Sequence, residues 1–544
     1  MKNRYNSGMR TICWLFAAGM MAGLAGCGGK SPEDAGKNLP AQVDTIDDNY
    51  RVFYEIFTGS FSDSDGDGIG DLRGIINRMD YLNDGNINSG ESLGIQGIWL
   101  TPIFSSPSYH KYDVIDYYKI DSAFGTQEDL TELLEVCHER NVKVILDLVL
   151  NHTSSSNPWF ISFADAHKNG DTASPYYDYY TYVTKDTQVS GRTYRQIPGC
   201  TDEYYECNFS GDMPELNYDN EEVKQEVLNI AKYYIDLGVD GFRFDAIKYI
   251  YFNDTEKSSE FWDWYMKELR AYKEDIYCVG ECWSSDQETL EYVGSLNCFN
   301  FQVGQGEGVL TKAVRNSQIN SYTGYITSYQ DKVLAENSEY GMMCNFLANH
   351  DTDRAAGFLN LSTGNAQMAA NLLILCSGSP FIYYGEEIGM KGTRGGANTD
   401  ANRRLAMLWG DGDTVKNPIG SDFPEDKQLN GTVEEQLSDE NSLCRYYAKV
   451  IAVRNRHPEI ARGDYEAVSS KFSELGGFEI TYGDSKILLL HNVSAEEIEV
   501  DLSSLTGVTG EYTKITDYVG LGSGAGLKGT TLKIGARTSV VLEK

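Results

Sequence analysis

The stretch GFRFDAIKY, at positions 241–249, has the most informative pattern for predicting the fold of this chain. Gly241, Phe242 and Phe244 form a short strand-like run around Arg243, and the run ends abruptly at Asp245. In a barrel of parallel strands, the C-terminal strand ends carry the chemistry, and polar residues collect there. The stretch therefore predicts a buried strand whose end faces a functional site.

Seven more strand-like runs lie along the chain, and helical stretches follow most of them. Apolar residues recur at helical spacing over 128–140 and 221–237. Eight such runs predict an α/β fold, a (β/α)8 TIM barrel. The other seven runs are at 52–56, 97–100, 142–150, 276–279, 298–301, 343–347 and 380–384.

Two segments depart from the barrel pattern. His152 and Asp245 are much farther apart than the ~31 residues of one unit in a bare barrel, so a polar, tyrosine-rich stretch is inserted after the third strand. Near residue 459, short alternating strands with glycine-rich turns begin, which predicts a C-terminal antiparallel β-sandwich domain. The predicted parts are the barrel's first part at 49–152, an inserted domain at 153–220, the barrel's second part at 221–458 and the β domain at 459–544.

Residues 1–26 read as a targeting signal. A basic start precedes an apolar segment too short for a comfortable membrane span, and the letters LAGC then end at Cys27. This resembles the bacterial lipobox, in which the cysteine is acylated, so Cys27 is the predicted lipidation site and 27–48 a flexible tether. An ordinary secretory signal cut nearby is the alternative. The resemblance implies the extracellular face of a bacterial cell envelope, with membrane contact through the lipid anchor only.

The charge balance narrows the class of partner. The chain has 46 Lys and Arg residues against 80 Asp and Glu, a formal net charge of -34. Such an acidic body repels phosphate backbones, which argues against a nucleic-acid partner. Bound cations and neutral substrates are compatible with it, and we expect a monomer.

Carboxylates, histidines and an arginine are concentrated at four strand ends. In a closed barrel these ends converge on one mouth, so Asp245, Glu281 and Asp351 are expected to face one another. A set of three carboxylates suits glycoside hydrolysis, because one must attack as an anion, one must hold a proton, and the third can stabilise the oxocarbenium-like charge. Arg243 points to the same side as Asp245, and Glu281 beside Trp283 is expected to be poorly solvated. The motifs are DLVLNH at 147–152, GFRFDAIKY at 241–249, GECW at 280–283 and FLANHD at 346–351.

These motifs, in this order, closely resemble four main regions of the α-amylase family, glycoside hydrolase family 13, and MPELN at 213–217 resembles its fifth. The resemblance implies a retaining mechanism with Asp245 as nucleophile, Glu281 as general acid/base and Asp351 as transition-state stabiliser. It also implies that the remaining site residues bind the substrate. These are Tyr112 and His110 in the segment YHKY, with His152, Arg243, His350 and Lys248.

The same resemblance indicates the substrate class. Ala246 after the nucleophile and Lys248 favour α-1,4 bonds of starch-type glucans and maltooligosaccharides, the activity of an α-amylase. Other activities of the family stay open, namely neopullulanase or cyclomaltodextrinase, α-glucosidase and oligo-1,6-glucosidase. A more remote alternative is a non-catalytic glucan-binding lipoprotein. Lys111 replaces the usual glycine of its segment and is expected to narrow the approach to the site.

Acidic residues at alternate positions after the first strand predict a Ca²⁺ site. Carboxylates at this pitch, with glycines for tight turns, supply the hard oxygen ligands that calcium prefers. The segment resembles the calcium loop of oligo-1,6-glucosidase-type members, whereas a solvated acidic turn is the alternative. A second family calcium site is in doubt, because Tyr249 stands where a histidine is usual, although Asn151 is present. The predicted ligands are Asp63, Asp65, Asp67, the Ile69 carbonyl and Asp71.

Cysteines are scattered, and only one pair suggests a disulfide. Cys200 and Cys207 lie in a polar loop of a protein expected outside the cell, so they are the best candidates. The sequence leaves open whether they are bonded or free, since pairing depends on geometry.

Overall fold

The computed structural model describes residues 48–86, 89–361, 364–396 and 398–544. The predicted signal segment, the lipidation site Cys27 and the tether up to residue 47 lie outside these residues. Across the described ranges, none of the helices combines the length and apolar character that crossing a membrane requires.

Eight parallel strands form the barrel, and the predicted (β/α)8 fold is confirmed. Each of the strands β1 to β6 pairs with the next strand along the chain, and β1 also pairs with β8. A parallel bridge from Phe346, just beyond β7, to Phe381 in β8 completes the ring. The strands are β1 Phe53–Ile56, β2 Gly97–Leu100, β3 Lys143–Leu148, β4 Gly241–Phe244, β5 Tyr277–Gly280, β6 Asn297–Asn300, β7 Cys344–Asn345 and β8 Phe381–Tyr383.

Burial explains why these strands read as continuous runs in the sequence. Every residue of the eight strands is buried, because helices cover the outside of the sheet and side chains fill its inside. Gly241 allows β4 to approach β5 closely, since a Cβ atom built there would lie only 1.7 Å from the Tyr277 carbonyl oxygen. Packing of this kind places the ends of β4 and β5 side by side.

The helices lie between and around the strands, and Glu221–Leu237 shows how their bounds are encoded. Asn220 caps its first turn by accepting a hydrogen bond from the Glu222 amide, and Gly238 ends it at φ 108°. The other barrel helices are Leu72–Asn77, Met79–Leu82, Gln127–Glu139, Thr255–Tyr272, Asp286–Val293, Val309–Asn316, Asn320–Glu336, Ala355–Leu359, Asn365–Ile374, Val433–Leu437, Leu443–Arg456 and Pro458–Arg462.

The insertion after β3 is a small domain of its own. It contains the helix Pro158–Asn169 and an antiparallel sheet in which Glu203–Glu206 is the central strand between Tyr182–Thr184 and Tyr194–Gln196. An isolated bridge between His152 and Glu215 ties the end of this domain to the end of β3. The insertion therefore stands directly beside the barrel mouth.

Cys200 and Cys207 are free thiols, so the possible disulfide is not formed. The whole strand Glu203–Glu206 lies between them, and an extended strand rises about 3.3 Å per residue, which keeps the two sulfurs apart.

The C-terminal domain is the predicted antiparallel β-sandwich. Its five-stranded sheet faces a three-stranded sheet, and residues of both form one apolar core that includes Leu488, Leu490, Leu532 and Val540. The strands of the first sheet are Asp464–Ser469, Leu475–Tyr482, Ser485–Asn492, Thr538–Glu543 and Lys514–Gly520. Those of the second are Ile498–Asp501, Thr531–Ile534 and Ala525–Lys528.

Candidate active site

One arginine joins the carboxylates that follow β4 and β5. Arg243 is fully buried in β4, and its Nη1 donates to Asp245 Oδ1 at 2.7 Å. Its Nη2 lies 3.2 Å from Glu281 Oε2 as an ion pair. The structure thus brings together Asp245 and Glu281, which the sequence separates by a whole βα unit, on neighbouring nitrogens of one guanidinium.

Asp147, in β3, is a further member of this cluster. Its two carboxylate oxygens accept from Arg243 Nη1 at 2.9 and 3.1 Å, and the Tyr112 hydroxyl donates to Oδ2 at 2.8 Å. Burial raises the pKa of Asp147 to about 7, with the charge of Asp245 adding to the shift and Arg243 opposing it. Asp147 was not among the site residues predicted from the sequence, although it is the first residue of the motif DLVLNH.

Glu281 has the ionisation that a proton donor needs. Burial, together with the charges of Asp245 and Asp351, raises the pKa of Glu281 to about 7 against the opposing charge of Arg243. The Ala246 amide donates to Glu281 Oε2 at 3.0 Å, which orients the carboxyl group. Trp283, expected to shield this group, is 46% exposed as a residue, and its ring stacks on Phe301.

Asp351 remains ionised because two cations hold it. His350 Nε2 lies 2.8 Å from its Oδ2, and Arg404 Nη2 donates to its Oδ1 at 2.7 Å. Although burial opposes the charge, His350 and Arg404 keep the pKa of Asp351 well below its usual range. Arg404 was missed by sequence reasoning, because it lies in a long loop after β8 without a motif around it.

His350 is an imidazolium in a buried network. Its Nδ1 lies 2.6 Å from Glu55 Oε1, and its Nε2 lies 2.7 Å from the Tyr112 hydroxyl. Burial opposes the charge, yet Asp351 and Glu55 together raise the pKa of His350 to about 10. Glu55 could have been suspected from the sequence, because a carboxylate inside an apolar strand is rarely buried without a partner.

The Tyr112 ring stacks on His350 with a centroid distance of 5.5 Å and an interplanar angle of 11°. His110 Nδ1 lies 3.0 Å from the Ser108 hydroxyl and accepts from the Tyr112 amide at 3.2 Å. Burial lowers the pKa of His110 to about 4, so this ring is neutral near pH 7. Both predicted residues of the YHKY segment therefore belong to the same cluster as Asp351.

His152 presents an unsatisfied polar atom. The ring is buried, and its Nε2 has no hydrogen-bond partner among the described residues. Burial lowers the pKa of His152, so the neutral ring can exchange a hydrogen bond with an uncharged group. A buried nitrogen left open in this way suits a sugar hydroxyl.

The two lysines singled out by sequence have different surroundings. Lys111 adopts a left-handed φ of 66°, and its Nζ donates to Asp121 at 2.9 Å with little exposed surface. The Lys111 ammonium group is therefore paired with Asp121 and does not narrow the approach of substrate to the site as expected. Lys248 Nζ donates to the Trp283 carbonyl at 3.0 Å, on the side of the mouth that carries Glu281.

The predicted calcium loop follows β1, and three of its carboxylates converge. Ligand oxygens of Asp63, Asp65 and Asp71 lie within 4.8 Å of one another, a hard-oxygen set that fits Ca²⁺. Asp67 is outside this group, and its Oδ1 accepts from the Ile69 amide at 2.7 Å. Asp71 also caps the helix Leu72–Asn77 through the Gly74 amide.

At the possible second calcium position, protein side chains pair with the carboxylates. Buried Glu206 is paired with Arg192 Nη1 at 2.8 Å, and Arg192 Nη2 donates to the Phe252 carbonyl at 2.8 Å. The Asn208 amide group bridges Glu206 and Glu215, at 2.7 and 3.0 Å. These carboxylates near Asn151 are therefore bound by a guanidinium and an amide group of the protein. This pairing does not favour a metal ion at the same position.

Comparison with known proteins agrees with this geometry. Residues 55–463 match the family profile described as alpha amylase, catalytic domain. Over 450 residues the chain is 36% identical to Alpha-amylase 3 of Dictyoglomus thermophilum, covering 82% of this chain and 85% of that protein. It is 31% identical over 533 residues to an oligo-1,6-glucosidase of Bacillus cereus, with 83% and 91% covered. The solved structure of Amy13B from Eubacterium rectale has a TM-score of 0.84 at 34% identity, covering 94% of this chain and 98% of that one.

Proposed function

The chain belongs to the alpha-amylase family of glycoside hydrolases, and from that premise we propose that it is a retaining α-amylase. Its substrates are starch-type glucans and maltooligosaccharides, cleaved at α-1,4 bonds. The observation that carries the proposal is the shared Arg243 guanidinium, 2.7 Å from Asp245 and 3.2 Å from Glu281. It holds a nucleophile and a proton donor at one point of the barrel mouth.

Hydrolysis then proceeds in two displacements. Asp245 attacks the anomeric carbon while Glu281 gives its proton to the leaving oxygen, which forms a glycosyl ester on Asp245. Glu281, now a carboxylate, takes a proton from water as that water attacks the ester. Asp351 stays anionic throughout beside His350 and Arg404, and stabilises the positive charge that develops on the sugar ring.

Several side chains are arranged to hold the sugar at the cleavage point. His152 Nε2 and the neutral His110 ring can hydrogen-bond its hydroxyls, and Tyr112 can stack on its apolar face. His350 and Arg243 are assigned to the same subsite, and Lys248 to the leaving side. Their preset positions lower the entropy cost of reaching the transition state.

An oligo-1,6-glucosidase is the second candidate, favoured by the 31% identity to the protein of that name. Against it stand Ala246 after the nucleophile and the position of Lys248, together with the 36% identity to Alpha-amylase 3. The deciding experiment compares products from amylose, pullulan and isomaltose. Endo-cleavage of amylose with isomaltose untouched supports the α-amylase, whereas glucose released from isomaltose supports the second candidate.

We also propose that Cys27 carries a lipid that anchors the enzyme on the outer face of a bacterial cell envelope, where it acts as a monomer. Incorporation of labelled palmitate, lost in Cys27→Ser, tests the anchor. Sedimentation of the detergent-solubilised protein tests the monomer.

Ca²⁺ is proposed as a structural ion of the Asp63–Asp71 loop, where Asp63, Asp65 and Asp71 would hold it and link the loop to the adjacent helix.

A further inference from the structure

Two consecutive arginines after β8 hold the segment that carries the transition-state stabiliser. Arg404 donates to Asp351 Oδ1 at 2.7 Å and to the His350 carbonyl at 3.0 Å. Arg403 donates to the Asp351 carbonyl at 2.7 Å and to Asp353 Oδ1 at 2.9 Å. The backbone and the carboxylate of Asp351 therefore both depend on where the two arginines lie.

A loop farther along the chain, 417–423, is attached on either side of these arginines. The Ala406 amide donates to Asn417 Oδ1 at 2.9 Å, and Asn402 binds the other end of the loop. Residues 417–423, all of them described, form neither a helix nor a strand, so the conformation of the loop depends largely on contacts of this kind. Residues 403–405 lie between the two points of attachment.

Both polar atoms of the Asn402 side-chain amide take part in this attachment. Asn402 is 1% exposed, and its Nδ2 donates to Asp422 Oδ1 at 2.6 Å and to the Arg394 carbonyl at 3.4 Å. Loss of these partners would leave buried polar atoms without hydrogen bonds, which is strongly destabilising for this arrangement. Its Oδ1 accepts from the amides of Asp422 and Phe423, at 2.8 and 3.0 Å, and from the Ser421 hydroxyl at 3.0 Å.

Side chains from the ends of β7 and β8 hold the same stretch through its carbonyl groups. The Arg403 carbonyl accepts from Arg354 Nε at 2.9 Å and from the Tyr383 hydroxyl at 3.1 Å. The Leu405 carbonyl accepts from the Tyr384 hydroxyl at 2.5 Å. Together with the loop, these contacts preset both guanidinium groups. Preset charges stabilise a transition state effectively, because they need no reorganisation at the moment of reaction.

We propose that Asn402 is a positioning residue for Asp351: by binding the loop 417–423, it keeps Arg403 and Arg404 where they orient the stabilising carboxylate. This inference rests on the proposed retaining mechanism, in which Asp351 stabilises the charge that develops on the sugar. The hydrogen bonds of the Asn402 side chain go to the loop and to the Arg394 carbonyl. Its effect should therefore appear in the binding of the transition state more than in the binding of the substrate.

The first experiment separates these two kinds of binding in the full-length enzyme. In Asn402→Ala, kcat on maltopentaose should fall roughly tenfold while KM changes by less than about twofold. The inhibition constant Ki of acarbose, whose charged unsaturated ring resembles the transition state, should rise roughly tenfold. KM and Ki do not depend on the active fraction of a preparation. Asn430→Ala is the matched control, because it removes a different hydrogen bond, to the Ile388 carbonyl at 2.7 Å, and it should change none of the three constants.

The second experiment reverses the direction of one hydrogen bond. Asn402→Asp places a carboxylate against that of Asp422 and should lower kcat at least as much as Asn402→Ala. Adding Asp422→Asn moves the donor to the loop side of the pair and restores the net charge of the wild type. The double variant should therefore recover most of kcat and of the affinity for acarbose.

Unchanged kcat and Ki in Asn402→Ala, with only a lower Tm, would overturn the proposal, because Asn402 would then serve the fold alone. Equal rises in KM and Ki would also overturn it, since the loss would lie in sugar binding. A double variant as impaired as Asn402→Asp would contradict the proposal too, and this comparison decides the matter if Asn402→Ala does not fold. Failure of the wild type to hydrolyse maltopentaose would instead refute the proposed function on which the inference rests.

Discussion

Glu55 Oε1 lies 2.6 Å from His350 Nδ1, which links the first strand of the barrel to the residue next to Asp351. Both side chains are almost fully buried, and the His350 amide also points to Glu55 Oε1 at 3.3 Å. Together with Asp351, Glu55 stabilises the imidazolium form of His350. Because that cation in turn keeps Asp351 ionised, a residue remote from the substrate controls a charge at the cleavage point.

The first prediction concerns Glu55→Gln, which keeps the shape of the side chain and removes its charge. The pKa of His350 is raised to about 10 in the folded protein, so its stabilising effect is complete below the ordinary value near 6.5 and is lost as pH rises towards 10. The substitution lowers that pKa, so the stabilising effect should be smaller below about pH 6.5 and should be lost completely at a lower pH than in the wild type. The free energy of unfolding near pH 8 should fall by about 3 kcal/mol. Urea denaturation from pH 6 to 10 measures this free energy of unfolding. A pH dependence parallel to that of the wild type would contradict the role assigned to Glu55.

The second prediction is that Asp245→Asn lowers kcat by roughly 10⁴-fold or more, because an amide cannot form the glycosyl ester. Glucan binding should persist, since Arg243 keeps its bond to Asp147. Rates on maltoheptaose and calorimetric binding of the same sugar test both parts. Turnover near the wild-type rate would exclude Asp245 as the nucleophile.

The third prediction follows from the pKa of Glu281, which is about 7. The first displacement needs the protonated acid, so kcat/KM on maltooligosaccharides should decline as pH rises through about 7. This alkaline limb should be absent with α-maltosyl fluoride, a substrate whose leaving group needs no proton, and Glu281→Gln should lose far more activity on maltooligosaccharides than on the fluoride. The separation of the Asp245 and Glu281 carboxyl groups should be about 5–5.5 Å, as retention requires. Inverted product configuration in an NMR time course would refute the retaining assignment.

A fourth prediction tests calcium in the loop after β1. Removal of bound metal with EDTA should lower Tm by about 2–3 °C, the effect of an ion present at some hundredfold above its Kd. Asp63→Asn should abolish this response, because Asp63 belongs to the convergent group of carboxylates. Asp67→Asn is the matched control in the same loop and should retain most of the response. Metal analysis that finds no calcium in the wild type, with Tm unaffected by EDTA, would reject the site.

The fifth prediction concerns the junction of the inserted domain with the barrel. Arg192 joins buried Glu206 to the Phe252 carbonyl, so Arg192→Met leaves a carboxylate without its cation. The expected cost is about 2 kcal/mol in the free energy of unfolding. The double variant with Glu206→Gln should recover part of it, because the uncompensated charge is then removed. Equal destabilisation in the single and double variants would exclude this charge pairing.

The local pattern of apolar residues was sufficient to predict the barrel strands. Runs such as 97–100 and 241–244 were predicted with the bounds the structure has, because a strand buried on both faces must be apolar along its length. The helix Glu221–Leu237 was equally predictable, because its buried residues recur at helical spacing. The end of the seventh strand was less distinct, and only Cys344–Asn345 of the run 343–347 forms the strand itself.

Hydrophobic periodicity and chain order are local properties, and they were enough to predict the order of strands and the strand ends that carry Asp245, Glu281 and Asp351. The folded barrel alone brings together the groups that share a charge network. Glu55, Asp147 and Arg404 come from three distant segments, and they act on the site through contacts shorter than 3.2 Å that no spacing along the chain reveals. It also decided which acid keeps its proton, because the pKa of Glu281 depends on burial and on neighbouring charges that exist only once the barrel has closed.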